Sequence, residues 1–200
     1  MSVKEFSNEN IFKLLSTESR RANLTPSSLA KVHCKLGELL SYKFLEEFHL
    51  EHVEIQHVQG VRKGLGFPKN EKILILVLMR GGLYVAEGFK EIFDGNYTIE
   101  FLNESNLDLI LKRYNLKKYR IIIIDSVINT GKSILNILNK IEIKKNIYII
   151  SLVMQRGSVD IFNKMENINC YVARISDNFY IGKGHTDTGN RLFGTIKEEK

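Results

Sequence analysis

The stretch Tyr119–Ile141, YRIIIIDSVINTGKSILNILNKI, decides the fold of this chain. Four consecutive isoleucines, Ile121 to Ile124, form a β-branched apolar run that is typical of a strand buried on both faces. Asp125 follows this run, and we expect the strand to end there. After Gly131, which tolerates backbone conformations that other residues resist, the apolar residues recur at the spacing of a helix, at Ile134, Leu135, Ile137, Leu138 and Ile141. The pattern predicts a buried strand, a tight turn and a helix.

The turn from Asp125 to Ser133 has the composition of a phosphate-binding site. In such a turn the free backbone N–H groups and the positive end of the helix dipole point toward a ligand. Thr130 and Ser133 add hydroxyl groups, and Lys132 adds a positive charge that either reinforces phosphate binding or points into water. An acid that merely closes a strand is the simpler alternative. An exposed acid in a strand–turn–helix unit nevertheless favours a binding role.

The letters TGKS also occur in the phosphate loop of nucleoside triphosphatases. That loop requires a glycine five residues before the glycine of this tetrapeptide, and the residue five before Gly131 is Ser126. The spacing therefore excludes this class. A carboxylate beside a phosphate turn suits a sugar phosphate better, because Asp125 accepts hydrogen bonds from sugar hydroxyls while the turn holds the phosphate.

Apolar strands and amphipathic helices alternate along the rest of the chain, which predicts a mostly parallel sheet. Gly60–Pro68 is expected to be a loop, and residues 177–195, with little periodicity, a long ordered loop or a flexible tail. Further strands are expected at His52–Val58, Ile73–Met79, Tyr97–Leu102, Ile147–Met154 and Asn169–Ile175, and helices at 8–17, Pro26–Phe48, Leu83–Phe93, Asn106–Tyr114 and Val159–Met165. The predicted fold class is α/β, a single doubly wound domain over residues 1–200 with helices flanking the sheet and residues 1–25 as an N-terminal extension.

Composition narrows the function. The net charge of +6 suits a small polyanionic substrate as well as nucleic acid, but no basic cluster is interleaved with aromatic residues, which disfavours nucleic acid. No apolar run approaches the roughly 20 residues of a membrane span, and the first ten residues lack the apolar core of a secretory signal. Cys34 and Cys170 lie far apart and in no metal-ligand spacing. We expect a reduced, cytoplasmic chain with neither nucleic acid nor a membrane as partner.

Four stretches resemble a known family. Asp125–Ser133 resembles the signature of type I phosphoribosyltransferases, and its single acid is similar to the uracil phosphoribosyltransferase branch. Leu36–Phe48 resembles the N-terminal helix of that branch, and Val77–Leu83 its arginine–glycine turn. Tyr180–Thr195 resembles its C-terminal base-binding segment, with the same spacing of Tyr-Ile, Gly, Asp-x-Gly and Phe-Gly-Thr. The resemblance runs from about residue 30 to the end of the chain.

The resemblance implies a reaction and its partners. The expected activity is that of a glycosyltransferase of the phosphoribosyltransferase type, which joins phosphoribosyl pyrophosphate (PRPP) to uracil or a related pyrimidine base. The products are a UMP-type nucleotide and pyrophosphate, which places the chain in pyrimidine salvage. Mg²⁺ is the expected cofactor, and a homo-oligomer, a dimer or higher, is the expected assembly.

The resemblance also assigns site residues. Asp125 and Arg80 are the expected catalytic residues, because Asp125 would hold the ribose hydroxyls and the planar fork of Arg80 suits pyrophosphate oxygens. A surface arginine is the alternative for Arg80. The expected PRPP-binding residues are Arg80, Gly81, Asp125, Ser126, Val127, Ile128, Asn129, Thr130, Gly131, Lys132, Ser133 and Asp187. The expected base-binding residues are Tyr180, Ile181, Gly184, Thr186, Asp187 and Thr188. No residue is expected to be a dedicated metal ligand.

The chain departs from the family pattern at four positions. Leu102 stands where the family has a second phosphate-binding arginine, and Lys183 replaces a proline. Thr186 and Thr188 replace a glycine and an alanine that contact the base. These departures leave the identity of the base open, and they motivate a second hypothesis, a non-catalytic PRPP- or nucleotide-binding sensor of the same fold.

Overall fold

The computed structural model describes residues 2–93, 95–103, 105–141, 147–180 and 182–195. In these ranges none of the helices combines the length and the apolar character that crossing a bilayer requires. The elements, in chain order, are β1 (Val3–Glu5), α1 (Asn10–Ser19), α2 (Pro26–Leu45), β2 (Glu51–His57), β3 (Gly60–Gly66), β4 (Ile73–Leu78), α3 (Leu83–Phe89), β5 (Tyr97–Leu102), α4 (Leu107–Arg113), β6 (Arg120–Ile128), α5 (Lys132–Lys140), β7 (Ile147–Gln155), α6 (Arg156–Asn163), β8 (Ile168–Ser176) and α7 (Thr188–Phe193).

The main sheet is parallel throughout. In the described ranges it has six strands in the order β1-β8-β7-β6-β4-β5, which confirms the predicted α/β class. β6 lies in the interior of the sheet, where Ile122 is aligned with Ile75 of β4 and Tyr148 of β7. Its neighbours along the strand, Ile121 and Ile123, face the opposite side. The four isoleucines thus supply both faces of the sheet, as their unbroken apolar run predicts.

Each face of the sheet is covered by three helices of the described chain. One apolar layer contains side chains of α4, α5 and α6. The other contains side chains of α1, α2 and α3, together with an aromatic cluster around Phe44. The layering places all strand carboxyl ends at one edge, where the turns after β4 and β6 lie side by side.

Several local expectations need correction. The strand that was expected to end at Asp125 continues to Ile128, because residues 125, 127 and 128 keep pairing with β7. Gly60–Pro68 was expected to be a loop, but residues 60–66 are β3, which pairs with β2 in an antiparallel hairpin. The helix expected over Leu83–Phe93 is α-helical only to Phe89 and ends in a 3₁₀ turn. Residues 177–195 contain a 3₁₀ turn and α7 rather than continuous loop.

The N-terminal segment belongs to the main structure. β1 pairs in parallel with β8, with Val3 aligned to Cys170, and Phe12 of α1 is fully buried in the layer formed with α2 and α3. A three-residue strand carries too little periodicity to be recognised in the sequence, so this contact was not predicted.

Helices α2 and α3 approach each other closely because two glycines face the partner backbone. A Cβ atom on Gly88 would lie 1.8 Å from the carbonyl oxygen of Cys34, and one on Gly37 would lie 2.1 Å from that of Val85. Neither carbonyl is the end of a flexible side chain, so the two helices would have to separate to accommodate a methyl group. This close packing fixes α3 and the turn that precedes it.

We expect Gly88→Ala to lower the free energy of unfolding by about 1–3 kcal/mol, the usual cost of overpacking a core. Denaturant unfolding followed by circular dichroism measures the difference. Gly182→Ala is the matched control, since a Cβ there meets only Asp187 Oδ2 at 3.6 Å and should leave stability unchanged. Equal stability of Gly88→Ala and the wild type would contradict the proposed packing constraint.

Candidate active site

A pocket opens at the carboxyl ends of β4 and β6 and has a volume of about 330 Å³. Its walls come from the turn after β4, from the end of β6 with the turn that follows, and from the chain after β8. The lining residues are Met79, Arg80, Gly81, Asp125, Ser126, Val127, Asn129, Tyr180, Gly182, Thr186, Asp187, Thr188 and Gly189.

The turn between β6 and α5 encloses a smaller cavity of about 110 Å³. Gly131 begins α5 with φ 74° and ψ −2°, a left-handed conformation that glycine adopts without steric cost. The turn is therefore tight, and the free N–H groups of the first turn of α5 lie beside the cavity. The lining residues are Asp125, Val127, Ile128, Asn129, Thr130, Gly131, Lys132, Ser133 and Ile134.

Asp125 lies where the two cavities meet, because it lines both of them. Burial raises the pKa of its carboxyl group from 3.8 to about 7. Hydrogen bonds from the backbone N–H groups of Val127 and Ser126 oppose this rise, and the nearby charge of Asp187 adds to it. A ligand that donates hydrogen bonds to this carboxyl group would favour its ionised form.

Arg80 stands across the pocket from Asp125, on the turn after β4. Its guanidinium donates hydrogen bonds to Thr195 Oγ1 at 2.9 Å and to Asn190 Oδ1 at 2.8 Å, and it lies 3.9 Å from Asp187 Oδ1. The side chain is 44% exposed, so part of its five-donor fork faces the solvent-filled pocket. These two hydrogen bonds hold the guanidinium in place, and the group remains accessible to an anion.

Residues 177–195, here called the tail, lie over the pocket and are anchored at their far end. Arg191 donates hydrogen bonds to the carbonyl oxygens of Ser19 and Arg21, at 3.3 and 2.8 Å. Leu192 is buried against α2. Part of the wall of the pocket that contains Asp125 is formed by the described tail residues Tyr180, Gly182, Thr186, Asp187, Thr188 and Gly189.

The structure brings most of the predicted site residues together. Arg80, Gly81, Ser126 and Asp187 line the larger pocket, and the predicted PRPP-binding residues from Val127 to Ser133 line the smaller cavity. Among the predicted base-binding residues, Tyr180, Thr186 and Thr188 line the larger pocket. Gly184 lies in the adjoining 3₁₀ turn and does not line it. Ile181 lies outside the described residues.

Comparison with known proteins identifies the family. The model of the uracil phosphoribosyltransferase family matches residues 6–195. The chain belongs to the uracil phosphoribosyltransferase family. This confirms the resemblance that the sequence motifs predicted.

Individual members of the uracil phosphoribosyltransferase family are distant relatives. The uracil phosphoribosyltransferase of Malacoplasma penetrans is 27% identical over 175 residues, covering 80% of this chain and 84% of the relative. That of Dictyoglomus turgidum is 23% identical over 193 residues, covering 90% and 93%. Among solved structures, the AQ2163 protein from Aquifex aeolicus superposes with a TM-score of 0.79 at 22% identity, covering 97% of this chain and 99% of that one. The superposition on the Aquifex aeolicus protein supports the fold.

Leu102 was expected to occupy the position of a second phosphate-binding arginine of the family. Its side chain is 3% exposed and packs in the apolar layer with Leu107 and Ile110. It lines a neighbouring cavity, which shares Met79 with the larger pocket and Ser133 with the smaller cavity, and it lines neither of the two cavities that contain Asp125. Burying a guanidinium in this apolar layer would be costly, so Leu102 acts as a core residue.

Sequence reasoning missed five residues of the candidate site. Met79, Gly182 and Gly189 line the larger pocket, Ile134 lines the smaller cavity, and Asn190 accepts a hydrogen bond from Arg80. Asn190 also donates its N–H to Asp187 Oδ1 at 2.7 Å, so that Asp187 caps α7. Asp is a favoured N-cap residue, and it was the available signal that a helix begins there.

The raised pKa of Asp125 predicts that PRPP binds more tightly as the pH rises through about 7. Below that pH the carboxyl group is protonated and accepts hydrogen bonds poorly, so the Kd should increase by up to about tenfold per pH unit. Isothermal calorimetry between pH 5.5 and 8.5 measures the Kd of PRPP. Asp125→Asn is the control, because it retains the titration of the ligand itself and loses that of the carboxyl group. Parallel pH profiles for the two proteins would contradict the assignment.

The same pKa has a consequence for stability. The folded state binds a proton at Asp125 that the unfolded state has already released between about pH 4 and 7. The contribution to stability is therefore fully present below pH 4 and is lost as the pH rises through 7. Asp125→Asn should become progressively more stable than the wild type over this range, as measured by thermal unfolding.

Proposed function

We propose that this chain catalyses the transfer of the phosphoribosyl group of PRPP to uracil or a related pyrimidine base, giving a UMP-type nucleotide and pyrophosphate. One observation carries the proposal. Asp125 is shared between a phosphate-sized cavity at a helix start and a larger pocket that is walled by the tail. A sugar placed beside Asp125 would have its 5′-phosphate in the smaller cavity and its C1′ in the larger pocket.

Each part of the donor then has a partner. The N–H groups of the turn and the hydroxyl groups of Thr130 and Ser133 would hold the 5′-phosphate, and Asp125 would accept hydrogen bonds from the ribose hydroxyls. Arg80 would bind the pyrophosphate and neutralise the charge that develops on it. The base nitrogen forms the bond to C1′ as the C1′–O bond breaks, pyrophosphate leaves with the electron pair, and the base proton passes to solvent.

A magnesium ion fits this site as part of the substrate. Among the described residues no group of three or more His, Cys, Asp or Glu side chains is placed to hold a metal ion. Mg²⁺ commonly binds through substrate phosphates, waters and one or two carboxylates, and Asp125 and Asp187 are the carboxylates in the pocket. When bound, Mg²⁺ would offset the negative charge of the pyrophosphate leaving group.

The base would lie against the tail. Thr186 and Thr188 line this part of the pocket, and they add bulk compared with the glycine and alanine expected from the family. The Thr186 hydroxyl group donates to the carbonyl oxygen of Lys183 at 2.8 Å, so Thr186 would narrow the pocket. Thr188 would narrow it or offer a hydroxyl donor, which favours a base other than plain uracil. The alternative function, a PRPP or nucleotide sensor without turnover, rests on Leu102 and on the altered base-binding segment.

The deciding experiment is pyrophosphate release from PRPP with Mg²⁺ and a panel of pyrimidine bases. We expect turnover with uracil or a close analogue, and at least tenfold lower turnover or donor affinity in Asp125→Asn, about 1.4 kcal/mol. The substitution is nearly isosteric, so the variant should remain folded. PRPP binding without turnover on any base would favour the sensor, and unchanged kinetics of Asp125→Asn would refute its role.

The proposal extends to assembly. The β2–β3 hairpin is exposed on both faces, with Val58 96%, Val61 56%, Leu65 63% and Ile55 41% exposed. An isolated two-stranded hairpin is only marginally stable in water, and apolar side chains project from both faces of this hairpin and from its turn. We infer that the hairpin packs against a second copy of the chain, which would make the protein a dimer or a higher homo-oligomer.

Lysine at two hairpin positions, Val61→Lys with Leu65→Lys, should weaken this assembly because it places charge in an apolar interface. Sedimentation velocity over a range of concentrations should show a shift toward monomer of at least tenfold in the dissociation constant. Leu14→Lys is the matched control, since Leu14 is 69% exposed on α1 outside the hairpin. A wild type that is monomeric at all concentrations would contradict the inference.

The remaining expectations belong to the same proposal. A small polyanionic donor accounts for the net charge of +6 without nucleic acid. A cytoplasmic location, the absence of a membrane partner, a role in pyrimidine salvage and the organisation of residues 1–200 as one domain complete it.

A further inference from the structure

Asn129 connects the donor turn to the tail. Its Nδ2 donates a hydrogen bond to the carbonyl oxygen of Tyr180 at 2.6 Å, and its Oδ1 accepts one from the N–H of Tyr180 at 3.3 Å. One side-chain amide thus pairs with both backbone polar groups of a tail residue. Asn129 was expected to bind PRPP, but its side chain is engaged by the tail, which leaves its backbone N–H for the donor.

Both partners of this contact are themselves held by the sheet and its helices. The hydroxyl group of Ser158, at the start of α6, donates to the carbonyl oxygen of Asn129. The phenol of Tyr180 accepts a hydrogen bond from Arg174 Nη2 of β8 at 2.6 Å. The contact therefore joins two fixed points, and it sets the distance between the turn and the tail.

Asn190 makes a second connection, from the tail to Arg80 of the turn after β4. Its Oδ1 accepts hydrogen bonds from Arg80 Nη2 at 2.8 Å and from the hydroxyl group of Thr195 at 2.9 Å, and Thr195 Oγ1 also accepts from Arg80 Nη1 at 2.9 Å. A tail residue thus orients the guanidinium that faces the donor side of the pocket.

We propose that Asn129 and Asn190 are positioning residues that couple the two halves of the site. This inference rests on the proposed function, because it takes the turn and Arg80 as the donor half and the tail as the base half. Asn129, a residue of the donor turn, fixes the base half, and Asn190, a residue of the tail, fixes the donor half. A ligand in either half orders the other, and such coupling is reciprocal.

The proposal predicts that each substitution weakens binding in the half of the site that does not contain the substituted residue. Asn129→Ala should raise the KM for the base at least about fivefold, the cost of two lost hydrogen bonds, and change the Kd of PRPP by less than twofold. Asn190→Ala should raise the Kd of PRPP at least about fivefold, although the residue lies in the tail. PRPP affinity is measured by calorimetry, and the KM for the base by pyrophosphate release at saturating PRPP.

Asn139→Ala, an exposed asparagine on α5, is the matched control and should match the wild type in both measurements. Equal losses for both substrates in Asn129→Ala, or an effect of Asn190→Ala on the base alone, would overturn the proposal. Thermal unfolding establishes that the variants are folded, and Asn129→Ser replaces Asn129→Ala if the latter is not.

A measurement without substrates separates this inference from the proposed function. Amide hydrogen exchange in the ligand-free protein should be at least tenfold faster at Tyr180 in Asn129→Ala than in the wild type, because the N–H of Tyr180 loses its acceptor. Unchanged exchange would refute the connection even if the enzyme is active. If the wild type shows no turnover on any base, the proposed function fails and the exchange result still decides the role of Asn129.

Discussion

The close approach of the turn after β4 to β6 is the constraint on which the site depends. A Cβ atom on Gly82 would lie 2.6 Å from the carbonyl oxygen of Ile124, and one on Gly81 would lie 2.7 Å from Ser126 Oγ. Because neither residue has a side chain, the turn that carries Arg80 rests directly on the strand that carries Asp125. This close contact brings the guanidinium group of Arg80 and the carboxyl group of Asp125 into the same pocket.

The sheet beneath the site makes that contact rigid. β6 pairs with β4 over residues 120–124 and with β7 as far as Ile128, its isoleucines are buried on both faces, and close-packed interiors resist displacement. The polar residues at its carboxyl end therefore occupy fixed positions before any ligand binds. Preorganisation of this kind is what catalysis by positioning and charge stabilisation requires.

Much of the sheet was predictable because apolar runs reveal strands that are buried on both faces. The donor turn was predictable for a related reason, since a strand, a glycine turn and a helix are contiguous in the sequence. The strand β3 was missed because its glycines, at positions 60, 64 and 66, indicate a loop when considered without the pairing to β2. The helix α7 was missed because six residues with a glycine among them show no clear period.

The contacts of the tail could not be predicted from the sequence for a different reason. Asn129 and Tyr180 are 51 residues apart, and Arg80 and Asn190 are 110 apart. Neither pair leaves a local signature, since side-chain to backbone hydrogen bonds of this kind depend on the completed fold. Sequence alone supplies the residues of the two halves of the site and not the connections between them.

The anchoring of Arg191 on the carbonyl oxygens of Ser19 and Arg21 links the two ends of the chain at the active site. The segment before α2 packs on α2 and joins the sheet through β1, so the base wall is attached to the first elements of the chain as well as to the last strand. The tail therefore cannot detach as a terminal segment that frays alone. Opening of the tail would break the hydrogen bonds from Arg191 to Ser19 and Arg21, so movement of this wall of the pocket would also involve the N-terminal segment.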